Sequence, residues 1–202
     1  MTKFRVILLL ILGLTMVSFA QSEEVKPTLS KNPLTAEQIA VYRAFLQFYE
    51  HGTDKELNVA NTTDWLDVSE LRQDSDCSES FGRVEYENAQ PGGPSVHTLT
   101  PNLAVAGRIV LVDPARQTEK VKQNDPSKTV HEGRSVDHAV STAFASGLLT
   151  LSEIVFDKDH HRAVMSFSFF CGKLCGNGGI VMFKRVGQKW KITKQSCREW
   201  IS

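Results

Sequence analysis

The chain has 202 residues, with 23 Lys and Arg balancing 23 Asp and Glu. No basic stripe is left over to neutralise phosphates, which argues against a nucleic-acid partner. Past the N-terminus no apolar run is long enough to cross a bilayer, which excludes a chain with several spans.

Residues 1–20 have the layout of a secretory signal peptide. Lys3 and Arg5 form a positive start, Val6 to Leu14 an apolar run broken only by Gly13, and Ser18-Phe19-Ala20 a small-residue cleavage site before Gln21. A retained anchor is the competing reading, because Phe4 to Ala20 is about as long as the shortest spanning helices. Cleavage removes two cations and leaves 21 basic against 23 acidic residues in a mature chain of 182. That length suits one domain with its own core. The expected organisation is a signal peptide over 1–20, a flexible segment over 21–34 and a single α+β domain over 35–202, exported to the periplasm or the extracellular medium, with no stable membrane insertion after cleavage.

A helix is expected from Thr35, whose N-cap hydroxyl and Gln38 make a capping box. Ile39, Tyr42, Phe45, Leu46 and Tyr49 form one stripe, read as core rather than as a cofactor face, and Gly52 suits the helix end. Residues 57–63 read as a short strand, Trp65 to Leu71 as a helical turn or loop, and Asn61-Thr62-Thr63 as a glycosylation sequon where the host glycosylates. Residues 88–102 are loop-like, and Gly107 to Asp113 reads as a buried strand stopped by Pro114. Residues 114–134 are polar and read as an excursion with a short strand near Val121. A second helix over 136–146 has Ser135 as cap, Ala139, Val140, Ala143 and Phe144 as its buried side, and Gly147 as its end. The C-terminal third reads as an antiparallel meander: Leu149 to Asp157, a turn over 158–161, Arg162 to Phe170, a loop over Cys171 to Gly179, Ile180 to Val186, and Lys189 to Lys194 with Trp190 and Ile192 inward. On the alternating strand Ala163, Met165, Phe167 and Phe169 face one side. Helices first and strands last make the fold α+β, one or two helices packed on an antiparallel sheet.

Four cysteines in an exported chain read as two disulfides. Three pairings are open. Spacing favours Cys171–Cys175, which can close locally, and Cys77–Cys197. The long loop of about 121 residues would contribute roughly 5 kcal/mol in the chain-entropy model, against about 2 kcal/mol for the small ring.

Leu151-Ser152-Glu153-Ile154 with Phe156-Asp157, the loop Cys171-Gly172-Lys173-Leu174-Cys175-Gly176-Asn177-Gly178-Gly179, the turn Gly187-Gln188-Lys189-Trp190-Lys191 and the terminal Trp200-Ile201-Ser202 carry a likeness. Through them the last quarter of the chain resembles an uncharacterised family of bacterial exported proteins with no assigned activity. The helix-then-sheet order is also similar to cystatin-like and NTF2-like folds, which licenses no function.

Three sites compete. The cysteine loop can be a redox pair, although C-x3-C with no following helix departs from the usual thiol geometry. It can be a structural brace whose Gly172, Gly176, Gly178 and Gly179 supply positive φ, or a ligand loop in which these glycines and Asn177 present backbone N–H groups. Asp157, Asp159, His160 and His161, with His131 or His138 added, can be drawn as a metal site, but a polar hairpin turn is the ordinary reading. Ser135, Asp137, His138 and Ser141 share a helix without a nucleophile elbow. A hydrolase would need a Ser or acid beside His138, His131 or His97 in a pocket. The sequence therefore points to a non-catalytic exported module that binds a protein or small molecule or serves the envelope structurally, without a cofactor. A thiol–disulfide protein using Cys171 and Cys175, or an unrecognised hydrolase, is the alternative.

Overall fold

Helix α1 (Ala36–Glu50) starts as the capping box requires: Gln38 Oε1 accepts from the Thr35 N–H at 2.8 Å and Thr35 Oγ1 from the Gln38 N–H at 3.2 Å. The computed structural model describes residues 26–50, 56–74, 77, 95–103 and 108–202. The signal segment, the Gly52 helix stop and the 88–94 part of the expected loop lie outside the described residues. Tyr42, Phe45 and Leu46 of the stripe are buried, and the Phe45 ring sits 5.0 Å from Phe167, so α1 lies on the sheet face carrying Ala163, Met165 and Phe169.

The fold is α+β. Strands β2 (Leu57–Ala60), β4 (Ile109–Val112), β5 (Leu148–Leu151), β7 (Arg162–Gly172), β8 (Cys175–Val186) and β9 (Lys189–Ile201) form a sheet ordered β4-β2-β5-β7-β8-β9. The short β6 (Val155–Phe156) also pairs with β7. β7, β8 and β9 are joined by short turns and run antiparallel, as expected of a meander. β2 pairs parallel with both β4 and β5, so the sheet is mixed. Helix α2 (Val68–Gln73) belongs to the opposite face, where Leu66, Val68 and Leu71 pack with Val164, Ile180 and Met182 around the Cys77–Cys197 disulfide. Both faces of the sheet are thereby covered.

The structure corrects several expectations. The 21–34 segment is not wholly irregular, because β1 (Thr28–Leu29) pairs with β3 (Ser95–Val96) and Leu34 is buried. The strand after Gly107 is a sheet edge with Val110 exposed, not a buried strand. Residues 114–134 hold no strand. They form helices α3 (Pro114–Gln123) and α4 (Pro126–His131), each opened by an Asp N-cap followed by Pro at the first helical position. A proline there loses no hydrogen bond, so it starts a helix as readily as it stops a strand. Helix α5 (Val136–Ser146) is capped by Ser135 and ends at Gly147, but Val140 and Phe144 face outward while Ala139, Ala143 and Ser146 are buried. The 149–157 strand is cut into β5 and β6 by Ser152–Ile154.

The expected loop over Cys171 to Gly179 is mostly strand. β7 and β8 continue to Gly172 and Cys175, leaving Lys173-Leu174 as the turn. Of its glycines only Gly172 has positive φ, at 146°. Gly178 is there for space instead: a Cβ would lie within 2.5 Å of the Trp200 indole nitrogen on the neighbouring strand.

The disulfides join Cys77 to Cys197 and Cys171 to Cys175, across 120 and 4 positions. Replacing Cys77 and Cys197 by Ser is expected to lower stability by about 5 kcal/mol, and replacing Cys171 and Cys175 by about 2 kcal/mol. Paired thermal and denaturant melts check this. The reverse order would contradict the loop-entropy argument.

Candidate functional site

A cleft of about 670 Å³ opens beside the tip of the β7–β8 hairpin. Tyr49 from the end of α1, Val140 and Phe144 from α5 and Phe169 from β7 give it an apolar lining, completed by the Cys171–Cys175 disulfide. Val140 and Phe144 are the two expected core residues that α5 turns outward, toward the cleft. Rings line the space in a chain: Phe144 stacks on Phe169 at 5.9 Å, and Phe169 lies 6.4 Å from Tyr49. Leu174 and Ile201, 80% and 89% exposed, add apolar surface at the same place.

The polar atoms are few. The Tyr49 hydroxyl donates to Asn177 Oδ1 at 2.9 Å. Burial pushes the Tyr49 phenol up to about 12, against a hydrogen bond with Asn177 that acts downward, so the phenol stays a neutral donor. Glu56 carries the single charged side chain in the described lining.

One carboxylate holds the hairpin tip in place. Asp125 caps α4 by accepting from the Ser127 N–H at 3.0 Å, and its second oxygen accepts from the Lys173 N–H at 2.8 Å. The Ser127 hydroxyl donates to it as well. Gly172 must be glycine here: its φ is left-handed, and a Cβ would come within 2.6 Å of the Pro126 ring. The sequence signal for this contact was the pair Asp125-Pro126, read as loop composition rather than as a cap.

Of the expected ligand-loop residues, Gly176 and Asn177 line the cleft, while Gly172, Gly178 and Gly179 do not. The Asp157, Asp159, His160, His161 group forms a turn. Asp157 Oδ1 accepts from the His161 and Arg162 N–H groups at 2.7 and 2.8 Å, and His160 is drawn away to Glu37, 2.6 Å from Nδ1, with its ring stacked on Phe156. Among the described residues no group of three or more His, Cys, Asp or Glu gathers as a metal site. His131 and His138 are exposed, at the end of α4 and the start of α5, and neither lines the cleft.

His97 does have an acid within reach. Its Nδ1 lies 2.9 and 3.0 Å from the Glu153 oxygens, and its backbone N–H donates to the same carboxylate at 2.8 Å. The Thr63 hydroxyl also donates to Glu153. All three residues are buried, the trio joins separate chain segments, and none of the three lines the cleft. Nearby, the Tyr42 hydroxyl donates to the Ser152 carbonyl at 2.9 Å; burial, then the Glu153 charge, raises its pKa well above the usual phenol range.

The Ser127 hydroxyl first, then the Lys173 N–H, hold the Asp125 carboxyl below its usual range, with burial opposing them. A depressed folded pKa means stability that is present above the ordinary carboxyl pKa of about 3.9 and lost as pH falls through the folded value. Asp125→Ala is therefore expected to cost about 1–2 kcal/mol at neutral pH, with the gap to the parent protein narrowing as pH falls below the ordinary carboxyl range. Urea unfolding at neutral and at acid pH checks this. A gap that persists in acid would assign the loss to packing. No family model, no curated protein and no solved structure matches the chain.

Proposed function

We propose that this domain is an exported, non-catalytic binding module whose cleft beside the Cys171–Cys175 hairpin holds a small apolar ligand. The observation that carries the reading is the cleft itself, about 670 Å³ and lined mainly by aromatic and aliphatic side chains with few polar atoms. Ligand sites of small molecules have that size and that make-up, roughly 300–1,000 Å³ with a few placed hydrogen-bonding groups. Exposed Leu174 and Ile201 fit the same reading, because a clustered apolar surface left in water usually marks a contact site. Two closed disulfides support passage through an oxidising compartment, periplasmic or extracellular.

Thiol–disulfide exchange is the second reading, favoured by one observation: the Cys171–Cys175 bond lines the cleft. Against it, Cys171 is fully buried and a strand, not a helix N-terminus, follows the pair. The thiolate activation that exchange depends on has no source there.

The test is titration with an uncharged apolar fluorophore such as N-phenylnaphthylamine. Saturable binding at one site is expected, weakened at least about tenfold by Phe144→Asp, which places a carboxylate in the apolar lining. Phe144 is 49% exposed, so the fold should survive the change. Absence of saturable binding, or binding indifferent to Phe144→Asp, would overturn the reading.

A further inference from the structure

We infer that the cleft selects a ligand with a cationic head, an alkyl- or aryl-ammonium, over neutral and anionic ones of the same apolar body. The inference rests on the binding reading above and concerns the charge of the ligand. Glu56 carries the single charged side chain in the described lining, and no Lys, Arg or His accompanies it there. Lys173 is exposed on the hairpin turn and is not among the lining residues. A carboxylate head would therefore meet a like charge with no cation among the described lining residues to offset it.

The remaining lining also suits a cation. Phe144 and Tyr49 each lie beside Phe169, with ring centroids 5.9 and 6.4 Å away, and all three rings line the cleft. Ring faces attract ammonium groups, and cages of such rings are the usual means of holding quaternary ones. Charge and ring faces thus favour one class of head group.

The experiment is isothermal titration of the whole protein, at low salt, with octyltrimethylammonium, octanol and octanoate below their micelle concentrations. Octyltrimethylammonium is expected to bind roughly five- to tenfold more tightly than octanol, with octanoate weakest. Glu56→Gln should remove several-fold of the ammonium affinity and leave octanol within about twofold, octanol serving as the control for an intact cleft. Octanoate binding as well as octanol, or Glu56→Gln weakening all three ligands alike, would overturn the charge selection while leaving the binding reading in place. Failure of all three to bind would overturn both.

Discussion

The Glu153 carboxylate accepts from the His97 backbone, from its ring and from the Thr63 hydroxyl, deep in the protein and between segments separated by 34 to 90 positions. A buried carboxylate costs several kcal/mol unless donors surround it, and here three do. Around it the backbone is stitched as well: Glu153 N–H donates to the Asp64 carbonyl at 2.7 Å, Asp64 N–H to Leu151, and Thr63 N–H to His97. The junction stops β5, pulls the chain past β2 against its end and fixes the 95–99 segment over both. Tyr42 reaches the same point from α1 through Ser152. The helix, the parallel strands and the meander are therefore referred to one polar centre.

From that frame the cleft follows. α1 is anchored near its middle by Tyr42, so its last turn presents Tyr49 to Phe167 and Phe169 on β7. The β7–β8 hairpin runs beyond the core and would end in solvent, but Asp125 and Pro126 meet its tip at Gly172 and Lys173. The space between the held tip, α5 and the end of α1 is the cleft. Two braces of different kind meet there, a covalent one within the hairpin and a carboxylate tying it to α4. The trio His97, Glu153 and Thr63 is buried, ties its chain segments together and does not line the described cleft.

Much of the fold was legible because local chemistry and packing agree. Thr35 with Gln38 set the start of α1, Ser135 that of α5, and the alternation of Ala163, Met165, Phe167 and Phe169 the inner face of β7. Disagreement arose where one residue type serves two uses. Pro114 reads as a strand stop and Pro126 lies in a stretch that reads as a polar excursion, yet each follows an Asp and begins a helix. The glycines after Cys175 read as turn formers, yet Gly176 and Gly178 make room for Trp200, a partner 22 positions from Gly178 that no local pattern displays. The cleft was partly visible, through Asn177 and the cysteine pair. Tyr49 packs against the core as its stripe predicts and also lines the cleft, whereas Phe144 faces outward, because periodicity gives a residue's side of the helix and not what lies opposite. Glu153 appeared only as a letter in a familiar string, since burial of a charge is a tertiary property.

The most direct test of the cleft as a ligand site is a residue-resolved one. Amide shifts of the isotope-labelled protein, followed during titration with octanol, should move at Tyr49, Val140, Phe144, Asn177 and Ile201 and remain still at Thr63, His97 and Glu153. Shifts centred on the His97–Glu153 junction, or spread evenly over the sheet, would contradict the account.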